Sequence, residues 1–215
     1  MPGLPSPPYL PSEKVQIRAK AFLKKYNPKD EIPVPIERIV DVQFGILITG
    51  IPGLLKQVDI DGFLLSNLKE IWVDKELYDR KHPRFLFTLA HEIGHYFLHR
   101  KIYKQIAIKD STTWKAFHYS LDDNKLKWYE IQAHMFAGFV LVPRSHLKKR
   151  CKIYLNKIKK VGVKNQTLIL DKLLRVLAQD FMVSSAVIKR RLKHEKLLPA
   201  DLHKELLLTF EPKVS

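Results

Sequence analysis

The chain has 215 residues, enough for one compact domain or one domain with a small appendage. Its 46% hydrophobic and 28% charged fractions exclude a wholly disordered chain, and no apolar run is long enough to read as a membrane span. A single cysteine, Cys151, excludes an internal disulfide framework and a four-cysteine zinc site, while a net charge of +16 points to polyanionic partners, nucleic acid first.

Residues 1–12 hold five of the thirteen prolines and read as a flexible arm. No basic start followed by an apolar core is present there, so no secretory signal is read and a cytoplasmic location is expected. Val15, Ala19, Phe22 and Leu23 then recur at helical spacing until Asn27-Pro28. Ile36 to Val42 reads as a short second helix closed by Gly45. Ile46–Ile51, Gln57–Leu65 and Ile71–Val73 read as three strands of a small sheet, antiparallel in its hairpin portions. A long helix follows, with Pro83 in its first turn and Phe85 to Leu98 apolar on more than one face, the mark of a buried helix. Residues 101–127 read as a loop or broken segment, and Trp128 to Val142 as a second apolar helix stopped by Pro143. Between Arg144 and Arg175 the chain is strongly basic, Asp171 being the only acid. Leu173 to Leu198 reads as two short helices broken at Val183-Ser184-Ser185.

The chemistry sits in Ala90-His91-Glu92-Ile93-Gly94-His95. Residues four apart on a helix share a face, so His91 and His95 present two imidazole nitrogens to one metal ion. Glu92 follows the first of them and is placed as the general base that takes a proton from the attacking water. Two histidines and a glutamate inside a buried helix are costly unless coordinated or paired, which favours the metal over a chance occurrence of the pattern.

A catalytic zinc takes three protein ligands and keeps one position open. The longer zinc motif with glycine at position 98 and histidine at 101 is absent, because Leu98 and Lys101 stand there. Glu130, the only acid of the second apolar helix, is the favoured third ligand; Asp122, Asp123 and His118 compete with it. His134, four residues after Glu130, is placed to hydrogen-bond a ligating histidine or to donate to the developing oxyanion. His99 reads as a structural histidine. Cys151 lies among Lys148, Lys149, Arg150 and Lys152, a field that lowers a thiol pKa, and has no recognisable catalytic partner.

The segment from Arg84 to His95, continued by Leu98-His99, resembles the ImmA/IrrE metallopeptidases. The segment Glu130-Ile-Gln-Ala-His-Met-Phe-Ala-Gly-Phe-Val-Leu-Val-Pro143 is similar to that family's second helix, E-x-x-A-N-x-F-A-x-x-L-L-x-P, and the resemblance runs from about residue 13 to about residue 200. It implies an α+β fold: a small twisted sheet packed against zinc-binding helices, with a C-terminal helix-turn-helix-like segment. In this reading 1–12 is the arm, 13–145 the metallopeptidase domain, 146–205 a basic helical region and 206–215 a tail. It also implies one Zn2+ on His91, His95 and Glu130, with Glu92 as catalytic acid/base. The implied activity is site-specific cleavage of a helix-turn-helix repressor, derepressing genes of a mobile element or a stress response. His134 departs from the family's usual asparagine.

Lys189, Arg190 and Arg191 on the last helix of the helix-turn-helix-like segment are candidate contacts to nucleic acid phosphates. A strand near Gly62 to Leu65 is a candidate for aligning a peptide substrate as an added strand. The competing readings are a DNA- or protein-binding regulator that keeps zinc for structure, and a metalloprotease toxin held by an antitoxin.

Overall fold

The protein is described by a computed structural model covering residues 9–80 and 82–210; residues 1–8 of the proline-rich arm and 211–215 of the tail lie outside them. Among the described residues the architecture is α+β and 68% helical, with a three-stranded mixed sheet. Two compact units are delimited, one ending at Leu141 and the other beginning at Val142. The described residues include no helix long and apolar enough to cross a membrane.

In the first unit, α1 (Ser12–Tyr26) buries the stripe Val15, Ala19 and Phe22 that its sequence spacing announces. The long helices behave as their composition requires. α5 (Pro83–Leu98) has Pro83 at its first turn, and the His82 ring nitrogen accepts the Arg84 N–H. Phe85, Leu89, Ala90 and Ile93 are fully buried. α8 (Asp123–Leu141) starts where the Asp122 carboxylate accepts the Lys125 N–H at 2.9 Å. Phe22, Phe97 and Phe136 tie α1, α5 and α8 together, with ring centroids 5.3–5.9 Å apart. At the crossing of α5 and α8, a Cβ on Gly94 would lie 3.1 Å from the Ala133 backbone. The two helices approach this closely because residue 94 has no side chain.

The sheet has the order β1-β3-β2. β1 (Leu47–Ile51) runs parallel to β3 (Glu70–Asp74), and β2 (Gly62–Leu64) pairs antiparallel with β3, placing Phe63 opposite Trp72. The expected strand over Gln57–Leu65 is therefore cut short. Leu54–Val58 instead forms a turn of helix, α3, entered through Gly53 at φ +74°. Asp74 at the end of β3 accepts the Leu55 N–H at 2.9 Å, a partner supplied from nineteen residues away that local pattern does not reveal. Ile36–Arg38 (α2) continues as a wider π-type turn, Ile39–Gln43, and α4 (Lys75–Arg80) joins β3 to α5. The expected broken segment 101–127 holds α6 (Arg100–Tyr103) and α7 (Ser111–Ser120). Asp110 and Thr113, which mark a turn in sequence, form a reciprocal cap on α7.

The second unit contains α9 (Arg144–Lys160), α10 (Gln166–Phe181), α11 (Ser185–Glu195) and α12 (Ala200–Leu208), with α10 packed against the other three. α10 ends at Met182 in the left-handed region, and the Ser184 side chain caps α11, which gives the helix-turn-helix-like connection. Of the three candidate phosphate contacts, Arg190 is exposed and Lys189 half-buried. Arg191 is a correction: it is 5% exposed, pairs with Glu195 at 2.8 Å and donates to the Val142 carbonyl at 3.1–3.2 Å. Its guanidinium is used inside the unit and is not presented to a phosphate. Cys151 is also buried, and burial pushes its thiol up to about 11, against the lowering expected from the neighbouring lysines.

Candidate metal centre

α5 and α8 bring the motif residues together. His91 and His95, one turn apart on α5, point their Nε2 atoms at each other, 2.9 Å apart. Glu130 of α8 completes the cluster, its carboxylate oxygens lying 3.1 Å from His91 Nε2 and 3.7 Å from His95 Nε2. A tetrahedral ion bonded at about 2.0–2.1 Å spaces its ligand atoms about 3.3 Å apart, so this donor set fits one ion. Burial opposes a charge on His91, but its hydrogen bond to the Glu130 carboxylate outweighs this and raises the ring above its ordinary value, while among the described residues His91 Nδ1 has no hydrogen-bond partner. Two imidazole nitrogens and a carboxylate converge on one point, an arrangement that holds a proton on His91 without metal and has the donors for one cation.

Asp122 caps α8 and Asp123 opens it, so neither occupies the cluster. His118 on α7 does reach it, with Nε2 3.4 Å from Glu130. The His134 ring stands edge-on to His91, 4.5 Å between centroids, and its Nδ1 contacts the Glu130 carbonyl at 3.2 Å. Its donor atom also groups with those of His91 and Glu130 within 4.8 Å. These residues line a cavity of about 260 Å³ that reaches Asp61 and Gly62 at the start of β2.

Glu92 is buried at 4% exposure, and its Oε2 accepts the Leu64 N–H at 2.9 Å. The strand thus fixes one carboxylate oxygen; the other, Oε1, is 4.0 Å from His91 Nε2. Arg84 grips Asp61 with two nitrogens at 2.6–2.7 Å, tying the first turn of α5 to the residue before β2. Gly62 is needed here, because a Cβ would lie 2.6 Å from the Trp72 carbonyl and 2.9 Å from Thr88.

The electrostatics follow from burial without metal. Burial, with His91, His99, His134 and His118 adding to it, holds His95 well below its ordinary value and therefore neutral. Burial also lowers His99, to about 4. Burial raises the Glu92 carboxyl to about 8, with His91 opposing and Glu130 reinforcing the shift. Because the folded value lies above the ordinary 4.5, the folded state keeps this proton longer than the unfolded chain. Stability from Glu92 is present below 4.5 and is lost as pH rises through 8. Metal-stripped wild type should thus show a urea midpoint that falls across this window, and Glu92→Gln a distinctly flatter one; equal slopes would remove Glu92 as the source.

Sequence reading passed over Gln132, Tyr129 and Trp114. Gln132 is fully buried and bonds His99; Tyr129 stacks on His95 and His99 at 4.1 and 4.5 Å; Trp114 stands edge-on to His118 at 3.6 Å. Gln132 carries the signal that exposed Glu130, a polar side chain within an apolar helix.

A family model for the IrrE N-terminal-like domain, peptidase M78, matches residues 43–193. No curated protein matches the chain. The family match spans more than half of the sequence and covers both helices of the cluster, and the protein belongs to the IrrE N-terminal-like family of metallopeptidases, the ImmA/IrrE type.

Proposed function

We propose that the protein is a zinc-dependent, site-specific endopeptidase that cuts a regulatory protein, a helix-turn-helix repressor, and so releases the genes that repressor holds. The observation that carries the hydrolytic reading is the convergence of His91, His95 and Glu130 beside a buried Glu92 anchored by one oxygen. His91, His95 and Glu130 would hold the ion. A bound zinc acidifies water and polarises the carbonyl to be cut. Glu92 keeps Oε2 on the Leu64 amide and uses Oε1 to take the proton of the attacking water, then returns it to the leaving amine. His118 and His134, at the cavity wall, are side chains that could donate to the oxyanion.

β2 is an edge strand, and Leu65 and Asp61 use their backbones to pair with β3. Gly62 and Leu64 therefore face outward, toward an added peptide strand. Since the Leu64 N–H is taken by Glu92, Gly62 is the position at which a substrate strand pairs. The repressor as substrate rests on the family resemblance.

The test is a substrate trap. Glu92→Gln protein, tagged and recovered from its own cells at moderate salt, should enrich one helix-turn-helix repressor that wild-type protein leaves fragmented. Recovery of nucleic acid with no specific protein would favour the regulator reading. That second reading has one observation behind it: residues 142–215 hold 18 Lys and Arg against 6 Asp and Glu, +12 of the chain's +16. On that surface Lys189 and Arg190 remain as phosphate contacts.

A further inference from the structure

His91 and His95 are not held alike. Among the described residues the second ring nitrogen of His91 has no hydrogen-bond partner. That of His95, Nδ1, lies 3.0 Å from Nδ1 of His99, and His99 Nε2 lies 3.0 Å from Oε1 of Gln132. His95, His99 and Gln132 are 2%, 1% and 0% exposed, so water does not rearrange the protons among them. Tyr129 stacks on both rings at 29° and fixes their planes.

Resting on the metal-site reading above, we propose that Gln132 and His99 form a proton-fixed relay that sets the tautomer of His95 and leaves its Nε2 bare for the ion. The logic admits one arrangement of neutral rings. Gln132 Oε1 has no proton, so His99 Nε2 donates to it. A neutral His99 then has a bare Nδ1, which accepts the proton of His95 Nδ1. With its proton on Nδ1, His95 presents a lone pair at Nε2, the atom that faces His91 and Glu130. Turning the Gln132 amide over reverses every step: its NH2 would donate to His99 Nε2, His99 would donate from Nδ1, and His95 would carry its proton on Nε2, unable to ligate. One buried amide thus decides whether the second imidazole binds metal. His99, read from sequence as structural, is a positioning residue for a ligand, and so is Gln132.

Two substitutions separate this role from packing. As a carboxylate, glutamate at position 132 only accepts, and the histidine NMR shows whether it has instead taken a proton or passed one to His99; methionine fills the space and does neither. The relay expects Gln132→Glu to bind zinc about as tightly as wild type and Gln132→Met to bind about 10–100-fold more weakly. A packing role expects the reverse, since methionine suits a buried site and a carboxylate does not. Full-length protein would be stripped with a chelator and titrated with zinc against a chromophoric chelator. Nitrogen NMR of the histidine rings in the stripped proteins gives a readout that needs no activity. Wild type and Gln132→Glu should show His95 protonated at Nδ1, and Gln132→Met a mixture of tautomers. Tight zinc binding by Gln132→Met with His95 unchanged would overturn the relay. Failure of the metal-site reading looks different: wild-type protein would take up no zinc, or His91→Ala would leave its uptake intact.

Discussion

Glu92→Gln should abolish peptide hydrolysis, by about 10²–10⁴-fold or more, while zinc affinity stays within a few-fold of wild type. The amide is the same size and still offers an oxygen to the Leu64 N–H, so β2 stays docked and the helix is undisturbed. What is lost is the ability to take a proton at the second oxygen. Glu92→Ala is a poorer probe. It leaves the buried Leu64 N–H unsatisfied, at about 1–3 kcal/mol, and confounds lost chemistry with a displaced strand. The measurement is single-turnover cleavage of a repressor recovered with the trap, with metal content determined on the same samples. A Glu92→Gln protein that cleaves at the wild-type rate would remove Glu92 from the mechanism.

Glu130→Gln should do the opposite: lose the metal first and activity as a consequence. Glu130 is the carboxylate nearest the two histidines among the described residues, at 3.1 and 3.7 Å, and its side chain is a third exposed. An isosteric, partly exposed replacement leaves the fold intact, so the thermal unfolding of metal-stripped protein should barely change. Zinc affinity should fall by more than the roughly 10–100-fold that loss of an outer-shell partner costs. Competition against a chelator measures it directly. A Glu130→Gln protein that keeps one tightly held zinc would move the third ligand to His134 or His118, both of which stand at the cluster.

The parts of this molecule that were legible in sequence share a physical property: their signal is local. The His91–His95 spacing is helix geometry, the burial of α5 follows from its composition, and Glu130 stands out as an acid in an apolar helix. The missed parts depend on partners distant in sequence. Helix α3 takes the first two residues of the expected strand Gln57–Leu65, held by Asp74 from the end of β3, and leaves Gly62–Leu64 as β2. Arg191 looked like a surface cation because its neighbours are basic; its burial depends on Glu195 and on the Val142 carbonyl, 49 residues away. His99 was read correctly as satisfied, but its partner Gln132 lies 33 residues on, so a link in a chain looked like an isolated residue. Asp110 and Thr113 show a different limit, since the same residue types mark a turn and cap a helix.

The contact between Gly94 and Ala133 sets the distance between the two helices that carry the ligands. Neither residue has a chemical role, yet a side chain at Gly94 would press on the Ala133 backbone and push α5 and α8 apart by a few tenths of an ångström. Such a seam makes the centre tolerant in an unusual way. The surrounding apolar side chains can change as long as volume is kept, while the close approach of the two helices rests on Gly94 against Ala133. Variation in this protein is therefore channelled: residues that only fill volume around the two helices are free to change, and the spacing between α5 and α8 stays fixed.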